Sequence, residues 1–353
     1  MLKKKTILVA PLHWGLGHAT RCIPIINALL ENNFRVLLAS DGAALHLLQK
    51  EFPQLESIEL PSYQITYPKK GNHFKSIMLL KLPRILKVIS SEKKIIERLV
   101  SEGKIDGIIS DNRFGIRSLK IPSVYITHQL NVLTSNTSYF STKVHQNIIK
   151  KFEVCWVPDL EGSNNLSGKL GHTSNHKLNI KYIGLLSRMN KITLPKKYDV
   201  LLLLSGPEPQ RSLLEEKLIA IFKGTKQKVL LIQGCVESEQ KTEQLENITL
   251  YNFMLRKDLE LAINESEIII SRSGYTTIMD LAILEKKAFF IPTPGQYEQE
   301  YLAKRMSDLK IAPFCEQDEF SLEKIKNVEL FNGFKAINKD ENYTYLFRLF
   351  ESK

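Results

Sequence analysis

The most constraining feature of this 353-residue chain is a recurring alternation. Short β-branched runs are each followed by a longer stretch of helical periodicity, and the series occurs twice. Thr6–Ala10, Arg35–Ser40, Ile105–Ile109, Ser123–Thr127 and Val154–Val157 read as strands, with a helix expected from His18 to Glu31. A polar stretch near Gly184 to Pro195 interrupts the pattern. Strands at Asp199–Leu204, Gln227–Ile232, Glu267–Ile270 and Ala288–Ile291 then alternate with helices at Gln210–Phe222 and Thr276–Leu284. Apolar runs of this kind are strands buried on both faces, and strand–helix alternation predicts parallel, doubly wound α/β sheets. Ligands of such sheets bind beyond the carboxyl ends of the strands, where the strand order reverses. With two such sheets, a cleft between them is the expected site.

This reading gives a first domain over 1–188 and a second over 189–333, with a last helix, Phe334–Phe350, that the pattern alone does not place. Charge supports the division. Residues 1–188 hold 26 Lys plus Arg against 13 Asp plus Glu, and the remainder 23 against 25, for a net +11. The excess concentrates at Lys69, Lys70, Lys75, Lys81, Arg84, Lys87, Lys93, Lys94, Arg98 and Lys104, interleaved with Ile77, Leu79, Leu82, Ile85, Leu86 and Ile89. Pro83 should start or kink a helix there. Either this is a helix with one buried stripe and solvated lysines, or it is a basic amphipathic surface that rests on anionic lipid. Nucleic acid is not expected as a partner, because no aromatic platform or recognised motif accompanies the charge.

The four cysteines, Cys22, Cys155, Cys235 and Cys315, lie 133, 80 and 80 positions apart, which is neither metal-ligand nor small-scaffold disulfide spacing. They are expected to be buried free thiols. The longest apolar runs fall far short of the ~18 residues of a membrane span, and His13 breaks the N-terminal one. The expected location is cytoplasmic, touching a membrane at most from its surface.

Four segments carry chemistry. Gly15-Leu16-Gly17-His18 follows the first strand, where glycines permit a tight turn and the next helix aims its N–H groups at a ligand. As a dinucleotide fingerprint it is incomplete, since Thr20 stands at the third glycine position; Asp41 leaves a dehydrogenase open at this segment alone. His18 is a candidate general base, with Asp111, after another strand, to orient it. Ser205-Gly206-Pro207 and Arg272-Ser273-Gly274 open helices in the second half and suit a diphosphate, with Asp280 placed for a ribose diol. Pro292 to Glu300 is a stiffened loop whose glutamines suit a sugar.

Taken in this order, these segments resemble the GT-B glycosyltransferases, and above all the MurG family of lipid-linked N-acetylglucosaminyltransferases. The resemblance implies two Rossmann-like domains facing a cleft, with the last helix returning to the first domain. It implies His18 as base, with Asp111 resembling the aspartate partner of plant and animal relatives. It implies acceptor contacts from Gly15, Arg21, His128 and Asn131. Donor contacts would come from Gly17, Ser205, Gly206, the backbone at Phe253, Arg272, Ser273, Gly274, Asp280, Gln299 and Glu300. The family's Gly-Gly-Ser-Gln-Gly loop is replaced here by Ser205-Gly206-Pro207-Glu208-Pro209-Gln210, and its Gln-Gln pair by Gln299 and Glu300. The implied function is inverting transfer of a sugar, from a UDP-sugar such as UDP-GlcNAc, to a hydroxyl of a lipid-linked or cell-envelope glycan. No cofactor and no metal are expected, since no Asp-x-Asp occurs. The alternatives are a UDP-sugar 2-epimerase on the same fold, or a sugar-nucleotide-binding protein without catalysis. A nicotinamide dehydrogenase leaves the Arg272–Asp280 segment without a purpose.

Overall fold

The computed structural model describes residues 4–63, 74–133, 138–336 and 343–351, the side chains of 74–81 excepted. The chain forms two compact units: one from most of the chain up to Leu186 together with the C-terminal segment from Lys339, the other from Ser187 to Asn338.

The first unit is built on seven strands: β1 (Thr6–Pro11), β2 (Arg35–Ser40), β3 (Ser57–Glu59), β4 (Gly107–Asp111), β5 (Ser123–Ile126), β6 (Val154–Val157) and β7 (Ile180–Tyr182). Their order is β3-β2-β1-β4-β5-β6-β7, and every pairing is parallel. The apolar runs are buried on both faces, with Ile7, Leu8, Val9 and Ala10 inaccessible to solvent, as covering helices require. Helix α1 (Gly17–Glu31) links β1 to β2, α2 (Gly42–Glu51) links β2 to β3, α3 (Phe74–Ser101) links β3 to β4, and α4 (Ser138–Ile149) links β5 to β6. The strand order reverses at β1, between β2 and β4. Pairing of Pro11 with Asp111 brings the ends of β1 and β4 to one level at that point.

The second unit has six strands: β8 (Tyr198–Leu203), β9 (Val229–Ile232), β10 (Thr242–Leu245), β11 (Ile248–Tyr251), β12 (Ser266–Ser271) and β13 (Lys287–Phe290). Their order is β10-β11-β9-β8-β12-β13, with only the edge pair β10–β11 antiparallel. Helices α5 (Gln210–Phe222), α6 (Arg256–Asn264), α7 (Tyr275–Ile283) and α8 (Tyr297–Asp308) lie between strands or follow them. Here the order reverses at β8, and pairing of Leu203 with Ser271 sets the Ser205 and Arg272 loops side by side.

Three sequence expectations change. Pro83 does not start a helix but lies inside α3, which runs for 28 residues. The last helix is shorter than Phe334–Phe350: α9 covers Thr344–Glu351, while Phe334 lies before it and its N–H bonds Lys286 O. Cys22, Cys155 and Cys315 are buried as free thiols, but Cys235 is only half-buried. Helix α9 belongs to the first unit. Phe350 and Phe347 are buried there against Phe34 and Trp156, and Lys5 donates to Phe350 O at 2.7 Å. Gly107 makes room for it, since a Cβ there would stand 2.5 Å from the Phe350 ring.

On α3, Val88, Glu92, Ile96 and Leu99 are buried, whereas Leu82, Arg84, Leu86, Lys87, Lys94 and Arg98 are exposed. Lys69, Lys70, Lys75 and Lys81 lie outside the described residues and side chains. Among the described residues no helix is long and apolar enough to cross a membrane.

Candidate active site

The end of β4 delivers Asp111, fully buried, and the start of α1 delivers His18 and Arg21. The His18 Nδ1 and Asp111 Oδ1 atoms lie 2.8 Å apart. Arg21 Nε donates to Asp111 Oδ2 at 2.5 Å, and its Nη2 donates to Oδ1, so the guanidinium grips both carboxylate oxygens. Arg21 Nη2 also lies 2.8 Å from His18 Nδ1, and its Nη1 lies 2.9 Å from His128 Nδ1. The contacts at His18 Nδ1 require opposite tautomers. An anionic carboxylate is the stronger acceptor, and Arg21 already donates to it, so the proton on Nδ1 faces Asp111. That tautomer leaves the Nε2 lone pair as the basic site, on a side chain 13% exposed.

Electrostatics agree with this assignment. Burial pushes the Asp111 carboxyl up, but the charges of Arg21 and His18 and their hydrogen bonds outweigh it and hold it well below the usual carboxylate range. Burial lowers the His18 pKa below its ordinary value, Asp111 raises it, and Arg21 lowers it again. The result is an ionised aspartate beside an imidazole that is neutral near pH 7. This arrangement suits a general base.

A second ionic cluster lies at the same sheet edge, and of its members only Asp41 stood out in the chain. Arg113, fully buried, donates from Nε to Glu92 Oε1 at 2.8 Å and from Nη1 to Asp41 Oδ1 at 2.7 Å. Tyr63 Oη donates to Glu92 Oε2 at 2.7 Å, and His13 Nδ1 lies 3.3 Å from Asp41 Oδ2. Asp41 is thus part of an internal ion pair.

Several residues expected to meet ligands are engaged within the protein. Arg21, expected at the acceptor, is 1% exposed and holds Asp111. His128 is buried beside it. Asn131 donates to Lys169 O and His172 O and accepts from Gln146, so its amide fastens a loop. Gly17 begins α1, and Gly15, with φ of 76°, makes the exposed turn before it.

In the second unit Ser205 and Gly206 are exposed beyond β8, and Gly206 takes φ of 108°, a conformation that favours glycine. Gly274 caps α7, and nothing lies within 4 Å of the place a Cβ would occupy, so a ligand can approach this helix start closely. Arg272 is not directed at such a ligand. It is 1% exposed, and its guanidinium donates to Ile291 O, Pro292 O, Gln210 O and Gln317 Oε1 over 2.7–3.1 Å. Ser273 Oγ donates to Gln299 O at 2.7 Å, and Thr293 N–H donates to Gln299 Oε1 at 2.8 Å. Glu300 Oε1 accepts from Gly295 N–H. Phe253 is buried, its N–H donates to Asn252 Oδ1, and its carbonyl accepts from Gln240. These groups shape the loops around the α7 start. Asp280 is half-buried, and Ser187 Oγ, which no sequence signal marked, donates to its Oδ1 at 2.6 Å. Among the described residues no group of three or more His, Cys, Asp or Glu side chains is placed to hold a metal ion.

Residues 208–339 match the model of the glycosyltransferase family 28 C-terminal domain. A curated relative from Sulfurihydrogenibium sp. (strain YO3AOP1), a UDP-N-acetylglucosamine–N-acetylmuramyl-(pentapeptide) pyrophosphoryl-undecaprenol N-acetylglucosamine transferase, is 27% identical over 140 residues, 39% of each chain. The enzyme of the same name from Histophilus somni (strain 129Pt) is 35% identical over 90 residues, 24% of this chain and 25% of the relative. The matched region thus spans about two-fifths or less of these relatives. Whole-chain likeness comes from solved structures. The glycotransferase of kitacinnamycin superposes with a TM-score of 0.65 at 13% identity, covering 99% of this chain and 94% of the other. MurG of Acinetobacter baumannii superposes with a TM-score of 0.54 at 15% identity, covering 93% and 91%. The second unit is therefore similar to the glycosyltransferase family 28 C-terminal domain over residues 208–339, and the chain has the GT-B fold.

Proposed function

We propose that this protein is an inverting glycosyltransferase that moves a sugar from a UDP-sugar such as UDP-GlcNAc to a hydroxyl of a lipid-linked or cell-envelope glycan. The observation that carries the reading is the His18–Asp111 pair at 2.8 Å, with the carboxylate held ionised by Arg21. His18 Nε2 takes the proton of the acceptor hydroxyl. The acceptor oxygen attacks the anomeric carbon as the bond to the diphosphate breaks, with inversion. Asp111 stabilises the imidazolium that forms. The open helix start at Gly274 and the exposed Ser205–Gly206 turn receive the diphosphate, and their N–H groups offset its growing charge. Asp280 holds the ribose. The names of the curated relatives support this choice of donor and acceptor. The exposed Leu82, Arg84, Leu86 and Lys87 on α3 support a peripheral position on the cytoplasmic face of a membrane.

Replacing His18 by Ala is expected to lower turnover about 10²-fold or more while UDP binding persists. Unchanged turnover in a single-turnover transfer assay removes His18 from the mechanism. Transfer is expected to continue in the presence of EDTA, because no metal is assigned a role. Loss of transfer that Mg²⁺ or Mn²⁺ restores overturns that assignment.

A further inference from the structure

Two imidazoles stand at the edge where the strand order of the first sheet reverses. His13 follows β1 closely, and His18 stands in the first turn of α1. Each meets a carboxylate from a strand next to β1: Asp111 ends β4, and Asp41 follows β2. Leu12 N–H donates to Asp111 O at 2.9 Å, and Ser40 Oγ donates to Pro11 O at 2.8 Å, so both neighbouring strands are fastened to the end of β1. One arrangement is thus repeated around that end. His18 pairs with Asp111, which Arg21 grips; His13 pairs with Asp41, which Arg113 grips.

The members of the second cluster differ in exposure. Arg113 and Glu92 are inaccessible, and Asp41 and Tyr63 are buried, but the His13 side chain is 32% exposed. Arg113 bonds Asp41 and Glu92, and its Nη2 donates to Pro61 O at 2.7 Å. Burial raises the Asp41 pKa, but hydrogen bonds from His13, Arg113 and Ser62 outweigh it and keep the carboxyl below its ordinary value. Facing an ionised carboxylate, His13 carries its proton on Nδ1. Its Nε2 is then an acceptor, and it has no partner among the described residues. The ring is also held by shape. A Cβ on Gly42 would stand 2.4 Å from His13 Cε1 and 2.5 Å from Nδ1, so the start of α2 leaves a space that the imidazole fills. Burying such a network is costly, and here it fixes the orientation of one ring that reaches solvent.

The reacting hydroxyl has one proton to give, and His18 takes it. A second neutral imidazole at the same edge has nothing to remove from that oxygen. It can accept a hydrogen bond from another hydroxyl, which a sugar ring supplies and an isolated alcohol does not. We propose that His13 is a second acceptor-contact residue: its Nε2 binds a hydroxyl of the acceptor other than the one that reacts, so the acceptor presents a polyhydroxylated sugar ring. This rests on the glycosyl-transfer reading and on His18 as base.

The test uses the full-length protein, UDP-GlcNAc as donor, and octyl β-D-glucoside, below its micellar concentration, with its monodeoxy analogues as acceptors. His13→Ala is expected to raise the KM for the glucoside about 10-fold, the scale of one lost hydrogen bond, while kcat and the KM for UDP-GlcNAc stay within a few-fold. One monodeoxy analogue is expected to show the same rise with wild type and no further rise with His13→Ala. His13→Gln, which offers an amide oxygen in place of Nε2, is expected to recover part of the loss. His46→Gln, at an exposed position of α2, is expected to behave as wild type. Hydrolysis of UDP-GlcNAc, which needs no sugar acceptor, is expected to persist in His13→Ala and to fall in His18→Ala. With melting temperatures matched to wild type, an equal penalty for every analogue, or a fall in kcat and hydrolysis like that of His18→Ala, overturns the proposal. Nitrogen-15 spectra of the imidazoles, with His13 assigned from its loss in His13→Gln, need no turnover. The Nδ1–H tautomer is expected, with an Nε2 resonance that moves when the glucoside is added in the presence of UDP. An unmoved Nε2 resonance overturns the contact even where transfer occurs. If wild type consumes no UDP-GlcNAc, the glycosyl-transfer reading fails separately, and the spectra still decide whether His13 binds the sugar.

Discussion

Two buried arginines, one in each unit, sit at corresponding edges of their sheets and solve opposite problems. Arg21 faces a carboxylate; Arg272 faces carbonyls. Arg21 bonds both oxygens of Asp111 and leaves an anion fixed beside an imidazole. Arg272 makes its contacts with Ile291, Pro292, Gln210 and Gln317, and its Nε is buried without a partner. With no carboxylate to offset burial, its pKa is lowered to about 10. Its task is to tie loop ends together. Arg21 thus neutralises an acid supplied by a neighbouring strand, whereas Arg272 fastens loops through neutral oxygens.

The sharpest way to break this comparison is to remove each cation in turn. Arg21→Met leaves a buried, unpaired carboxylate and is expected to cost about 4 kcal/mol of stability, read by denaturant unfolding. Adding Asp111→Asn should recover much of that loss, because the stranded charge is then gone. Arg272→Met strands carbonyl oxygens but no charge, so a smaller loss of about 2–3 kcal/mol is expected. Equal losses for the two variants, or no recovery in the double variant, would sink the distinction.

The mildest effect is the pH dependence. The His18 pKa lies below 6.5 in the folded protein, so the unfolded chain binds the extra proton first as pH falls, and acid weakens the fold from about pH 6.5 downward. The Asp111 pKa is depressed, so its contribution is present above the unfolded pKa of about 4 and is lost as pH falls further. Activity should follow with an acid limb in kcat/KM whose midpoint lies below 6.5. A midpoint above 6.5 would show that Asp111 outweighs burial at His18.

Much of the fold was legible in the chain. Strands such as Arg35–Ser40 and Val154–Val157 match the reading residue for residue, because strands buried on both faces appear as unbroken apolar runs. The edge strands escaped it. Thr242–Leu245 and Ile180–Tyr182 are short and polar or half-exposed, and no burial marks them in sequence. The sequence places His18 and Asp111 after strands, and the structure brings the two side chains to 2.8 Å. Arg21 was read as an acceptor contact, and its true neighbour lies 90 positions away. Arg272, Ser273 and Gln299 were read as donor contacts for the same reason: a polar side chain beside a ligand and one bonded to a neighbouring loop look alike in one dimension.

The sequence by itself determined the alternation of strand and helix, and the strand ends at which His18 and Asp111 stand. Those are local matters of period and turn chemistry. Only the tertiary structure decided which polar groups are already satisfied, because that depends on pairings across the sheet. The hydrogen bond from Ser187 to Asp280 and the grip of Arg21 on Asp111 join residues more than 85 positions apart. A buried donor takes whichever acceptor the packing brings near it.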